Sequence, residues 1–154
     1  MAHRIVALSL ASLLAVPGGV HAQVVIASTA PQNTAANHDS YQPRISADGL
    51  RIVFTSKASN LVPGDTNGKT DVFLWDGRVT PAVVVCLSVS TDGEQANDHS
   101  EWPSISPDGN VVAFNSSATN LGAPPTAGWS NVYARLIGEA PALWTTSWVS
   151  RAYN

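Results

Sequence analysis

Between positions 65 and 71 the chain reads Asp-Thr-Asn-Gly-Lys-Thr-Asp, which sets the oxygen-bearing side chains of Asp65, Asn67 and Asp71 around a glycine. A hard cation takes about six to eight oxygens from carboxylates, amides and carbonyls, so calcium is the metal that such a loop would hold. The spacing is not that of an EF-hand, no glutamate closes the loop, and Lys69 sits inside it. The competing reading is a connector of Asx turns, in which Asp65 and Asn67 bond their own backbone, and these departures favour it.

The other residue types that could do chemistry are scattered. His38 and His99 look like a pair, yet His38 aligns with Asp98 and His99 with Asp39 once the internal repeat described below is applied. They read as solvated loop residues rather than a metal or acid-base cluster. Gly128-Trp129-Ser130-Asn131-Val132 begins like a nucleophile elbow but has valine where the last glycine belongs, and no strand-to-helix context surrounds it. Ser46-Ala47-Asp48-Gly49 differs from the S-x-D-x-G-x-T-W box of sialidases, because its glycine comes one position early and no tryptophan follows. Trp102 and Trp129, in expected loops, are the aromatic residues available for a carbohydrate platform; Trp75, Trp144 and Trp148 fall in strand patterns and are expected to pack. Asn115-Ser116-Ser117 is a formal glycosylation acceptor at an expected strand end. Cys86, the single cysteine, lies in an apolar run and reads as a buried free thiol. No catalytic constellation emerges.

The first residues indicate export. Arg4 precedes an apolar run over 5–16, Pro17 and Gly18 break it, and Val20-His21-Ala22 supplies the small residues of a cleavage site. This run is too short for a bilayer that needs roughly 20 apolar residues, so residues 1–22 read as a signal peptide with no membrane span. Cleavage after Ala22 leaves a mature chain of 132 residues with a formal charge of −4, located in the periplasm or outside the cell. Charges are spread singly with no basic stripe, which argues against a nucleic-acid partner.

From Gln23 onward, short runs of Val, Ile, Phe and Trp alternate with Gly, Pro, Asn, Asp and Ser clusters, the pattern of an all-β chain. Residues 36–75 set against 96–135 without a gap show 16 identities in 40 positions. Ordinary residue usage would give roughly 2 or 3 by chance, so the chain contains a repeat of sixty residues. Each unit is expected to hold four short antiparallel strands: 44–47, 50–56, 71–75 and 83–89 in the first, with a third strand over 131–136 and a fourth over 144–149 in the second. Asp48-Gly49 and Asp108-Gly109 are expected to form two-residue type I′ hairpin turns, with Ile45 facing Ile52 and Pro43 facing Phe54. Residues 24–27 match 84–87 at the same offset and are expected to be an orphan strand from a preceding unit. The domain plan is therefore a signal peptide (1–22), an orphan strand and linker (23–37), a first repeat (38–97) and a second, degraded repeat (98–154).

Strands apolar on both faces, as in Ile52-Val53-Phe54 and Val83-Val84-Val85, suit a sheet stacked between neighbouring sheets. The pieces Tyr41-x-Pro43-x-Ile45-Ser46-x-Asp48-Gly49, Val53-Phe54-x-Ser56-x-Ala58-x-Asn60-Leu61-Val62-Pro63-Gly64-Asp65-x-Asn67-Gly68 and Asp71-Val72-Phe73 together resemble the WD40-like β-propeller (PD40-type) repeat of the TolB family, in its exported long-loop form. The resemblance implies propeller blades, about two of them plus the orphan strand, hence an incomplete β-propeller. The second unit departs from it at the loop, where Pro124, Pro125 and Ala127 replace Gly64, Asp65 and Asn67, and Asn131 replaces Asp71. The function expected is a non-enzymatic binding or scaffold module whose partner is a protein or further blades, copies of this chain included. The alternative is the propeller portion of a larger peptidase- or glycosidase-type hydrolase whose catalytic domain lies elsewhere.

Overall fold

The computed structural model describes residues 24–122, 129–138 and 144–150. The expected signal peptide and the Pro124, Pro125 and Ala127 positions lie outside the described residues. Residues 24–28 form no strand, which corrects the orphan strand expected over 24–27. A strand needs a partner ladder, and none lies beside this segment. The chain first pairs with itself in a small ribbon, β1 (Thr29–Ala30) with β2 (Thr34–Ala35), around a 3-10 turn at Pro31–Asn33.

Two four-stranded antiparallel sheets follow, and neither closes on itself. The first holds β3 (Ser40–Ile45), β4 (Arg51–Ser56), β5 (Asp71–Asp76) and β6 (Val83–Cys86) in that spatial order. The second repeats it with β7 (Ser100–Ile105), β8 (Val111–Ser116), β9 (Asn131–Leu136) and β10 (Thr145–Trp148). Among the described residues the fold is all-β with antiparallel sheets, as the alternation of apolar runs and turn clusters predicts. No helix among them is long and apolar enough to cross a membrane.

The hairpin register agrees with expectation at Ile45 opposite Ile52 and Ile105 opposite Val112, but the turn differs. Gly49 has φ of 73° while Asp48 is not left-handed, and the Gly49 amide donates to the Ser46 carbonyl at 3.0 Å. The Ser46 amide then donates to the Arg51 carbonyl, so the loop has four residues rather than the two of a type I′ turn. Asp48 explains the difference: its Oδ1 accepts from the Ser46 hydroxyl and the Leu50 amide, which holds a turn that needs only the glycine left-handed. Pairing then shifts by one residue between Tyr41 and Arg44, and between Glu101 and Ser104, so Pro43 shares its place opposite Phe54 with Gln42 in a bulge. Gln42 and Trp102 take positive φ there, 56° and 57°.

Each sheet has two unlike faces. In the first, Val53, Val72, Leu74 and Val85 join Val112, Phe114, Tyr133 and Trp148 of the second sheet in one core, and β7 lies against β3, β4 and β5. The opposite face carries Phe54 stacked on Phe73 at 5.8 Å, covered by Ala27 and Ala36 from the entering segment and by Ala58 and Leu61 from the loop. The second sheet repeats this device with Phe114 on Tyr133 at 6.0 Å beneath Leu87, Ala96, Ala118 and Leu121. Full burial of one such ring contributes about 1.5–3 kcal/mol, so these aromatic pairs are the main apolar anchors of each unit.

Candidate functional site

Asp65, Asn67 and Asp71 come together where the loop over 57–70 enters β5. Asp71 is buried at the first position of the strand, with Oδ1 accepting from the Ser88 hydroxyl and Oδ2 from the Asn67 amide at 2.9 Å. Asn67 also donates to the Ala96 carbonyl at 3.1 Å, while its own Oδ1 accepts the Lys69 amide at 2.8 Å. That last bond is an Asx turn, and it leaves the amide nitrogen rather than the oxygen facing Asp71. Burial raises the Asp71 carboxyl against the opposing hydrogen bonds from Ser88 and Asn67. Burial, and then the Asp71 charge, raises Asp65 as well. Asn67 and Asp71 therefore meet as a hydrogen-bonded connector that Asp65 approaches without bonding to either, and among the described residues no group of three or more His, Cys, Asp or Glu side chains could hold a metal ion.

The connector also ties the sheets together. Lys69 pairs with Asp98 at 3.1 Å, the Thr70 amide donates to Nδ1 of His99 at 3.0 Å, and the Ser100 amide donates to the Thr70 carbonyl at 2.8 Å. His38 is remote from this in role: its Nδ1 accepts the Asp39 amide at 2.8 Å, just as Asp98 Oδ1 accepts the His99 amide at 2.9 Å. Histidine and aspartate thus do the same turn-capping work at equivalent positions of the repeat. Asn37 and Asn60 brace the loop entrance, and Asn97 and Asn120 reproduce those bonds.

Cys86 is a free thiol but half-buried rather than buried as expected, and desolvation first and the Asp71 carboxylate second push it up to about 12. Its Sγ lies 3.4 Å from the Ser88 hydroxyl, and a thiol held neutral is a poor nucleophile. Trp129 and Trp102 are exposed, Trp129 in a loop as expected and Trp102 inside β7. Gly128 of the elbow-like run lies outside the described residues, and Asn131 and Val132 of that run open strand β9 rather than a helix.

A second constellation was not anticipated. Arg51, buried at the start of β4, donates from Nε and Nη2 to Asp76 Oδ2 at 3.1 and 2.9 Å. Its Nη1 reaches across to the Gly109 carbonyl at 2.9 Å and to Asn110 Oδ1 at 3.2 Å. Asp76 Oδ1 accepts the Arg78 amide, and Arg78 in turn donates to Asp48 Oδ2 and to the Asp108 carbonyl. Arg51, Asp76, Arg78 and Asn110 border a cavity of about 660 Å³ whose apolar wall includes Val79, Val83, Val85, Trp144 and, at the end of β9, Leu136. With the Arg51 donors and both Asp76 oxygens committed within the protein, the cluster fastens one hairpin turn to the next. The available signal was register: Arg51 and Asp76 close the same end of paired strands.

No family model, curated protein or solved structure matches the chain.

Proposed function

We propose that the chain is an exported, non-enzymatic binding or scaffold module built from propeller-type repeat blades. One observation carries this reading: the two sheets repeat one another in strand order, register and many turn and loop bonds at an offset of sixty residues. The bulges at Gln42 and Trp102, the asparagine braces, the aromatic stacks and the turn-capping aspartates all recur. Stacked repeats of this kind present faces and edges to partners, and their recurring geometry serves packing. The TolB-like resemblance of the motif points the same way, and the export reading supplies the compartment.

The test uses the exported protein. N-terminal sequencing should begin at Gln23. The immobilised chain should then retain a protein from the exported fraction, and retention should fall at least tenfold for Leu136→Asp, while peptide and glycoside substrates stay intact. Turnover of either substrate by the purified chain, or retention indifferent to that substitution, would overturn the reading.

A further inference from the structure

The two sheet faces that meet inside the molecule each carry a buried charge, whereas the equivalent positions on the two outward faces are apolar. On the face of the first sheet that packs against the second, the cross-strand partners Arg51 and Asp76 are charged and buried. At the equivalent cross-strand position of the second sheet stand Val111 and Leu136, 39% and 51% exposed. On the same face Ala113 and Ala134 are half-buried and Val132, paired with Asn115, is 37% exposed, while Asn115, Thr145 and Ser147 add exposed polar side chains. The opposite faces show the same inversion. The row Ile105, Val112, Arg135 and Thr146 of the second sheet lies inside and includes a buried arginine. Its counterpart in the first sheet, Ile45, Ile52, Trp75 and Val84, is entirely apolar, with Ile45 59% exposed and the other three half-buried.

Solvent exposure alone would favour charged or polar residues rather than aliphatic ones at these outward positions. Large exposed aliphatic side chains grouped on a sheet face mark a docking surface. The repeat also indicates what docks. The Val111 and Leu136 face is the counterpart of the face through which the first sheet meets the second. The Ile45 to Val84 row is the counterpart of the face through which the second sheet meets the first. A joint already made once inside the molecule can therefore be made again between molecules, uncharged surface against uncharged surface.

We infer that the occupant is a second copy of this chain, joined head to tail: the Val111, Val132 and Leu136 face of one copy packs on the Ile45, Ile52 and Trp75 face of the next. This rests on the scaffold reading above and assigns its partner. Such an interface is heterologous, so it closes into a ring or extends, and it is not a two-fold dimer.

Light scattering after size exclusion of the exported chain, over a range of concentrations, is the test. The wild type should exceed the mass of one chain. Leu136→Asp and Ile45→Asp, both at exposed positions and so compatible with folding, should each give one-chain mass with an unchanged far-ultraviolet spectrum. Their equimolar mixture should give a species of one chain of each kind, because each variant retains the face that the other has lost. Val132→Lys repeats the test should Leu136→Asp not fold. A wild type of one-chain mass at every concentration would overturn the inference, as would a variant that still pairs with itself. A one-chain wild type that retains another protein through the Leu136 face would leave the scaffold function standing and remove only the self-association.

Discussion

Gln42 Oε1 accepts the backbone amide of Trp102 at 2.9 Å, joining the bulge of the first sheet to the equivalent bulge of the second. The same oxygen accepts the hydroxyl of Thr55, a fully buried residue, at 2.9 Å. Gln42→Ala would leave both donors without that acceptor, and a buried unsatisfied donor costs about 1–3 kcal/mol. Gln42→Glu retains an acceptor oxygen and should lose less. Urea unfolding of both variants checks this, and equal losses would show that the oxygen is not the link.

Much of the sheet order was legible because the repeat shows twice which apolar residues face each other. Ile45 opposite Ile52 follows from counting outward from Asp-Gly, and a four-residue loop preserves that count as well as a two-residue one. The turn type was not legible, since it depends on Asp48 bonding Ser46 and Leu50. The bulge at Gln42 was hidden because no glycine marks its positive φ. Of the loop site, the meeting of Asp65, Asn67 and Asp71 was visible in their spacing, whereas the Arg51 and Asp76 brace requires knowing which sheet face another sheet covers.

The turn glycines should not respond alike. A Cβ on Gly49 would meet nothing nearer than Ile45 Cδ1 at 3.9 Å, so Gly49→Ala should cost only the left-handed conformation, about 1 kcal/mol. A Cβ on Gly109 would come within 3.0 Å of both Arg51 Cδ and Arg78 Nη2, side chains tied into the brace. Gly109→Ala should therefore destabilise by roughly twice as much or more. Denaturant midpoints for the two variants decide it, and equal shifts would contradict the tight packing at Gly109.

Stability around Asp71 should depend on pH with a definite sign. Its carboxyl is raised by burial, so between its unfolded value near 3.8 and its higher folded value the folded protein holds a proton that the unfolded chain has released. The stability it contributes is complete below the unfolded value and is lost as pH rises through the folded one. Asp71→Asn removes this titration, so the wild type should lose stability relative to the variant from about pH 4 toward neutrality. Asp48, lowered to about 2 chiefly by the Ser46 hydroxyl, acts oppositely: its contribution is present above 3.8 and lost as pH falls toward 2. Urea unfolding at a series of pH values separates the two. A stability difference between wild type and Asp71→Asn that stays flat with pH would refute the assignment for Asp71.

Calcium bears on the same loop. Asn67 turns its amide nitrogen toward Asp71 and gives its oxygen to the Lys69 amide, so ligation would require breaking both bonds. A cation that binds the folded state raises Tm with its concentration. The expected outcome here is equal Tm in millimolar calcium and in chelator, with no heat on titration. A rise of several degrees in calcium that disappears in Asp71→Asn would instead establish a metal loop.

Among the described residues two arginines are buried, Arg51 and Arg135, and their removal should have opposite consequences. Arg51 neutralises Asp76 inside the joint between the sheets, with side chains 8% and 7% exposed. Arg51→Met would strand a buried carboxylate and release the Gly109 carbonyl, a change expected to cost about 3–5 kcal/mol. Among the described residues, Arg135 has no carboxylate partner. Its Nη1 donates to the Val89 carbonyl and the Thr146 hydroxyl, its guanidinium lies 5.9 Å from the Trp144 ring, and its buried Nε has no partner among the described residues. Burial correspondingly lowers its tendency to hold a proton. Arg135→Met removes an uncompensated charge and an unsatisfied donor, while the Val89 carbonyl keeps the Thr146 hydroxyl as a donor at 2.6 Å. The desolvation relieved is comparable to or larger than the bonds lost, so this variant should be neutral or more stable by about 1 kcal/mol. Thermal and urea unfolding of the two variants side by side make the comparison, and a loss at Arg135 as large as that at Arg51 would show that its carbonyl cage, rather than a counter-charge, is sufficient to hold a buried cation.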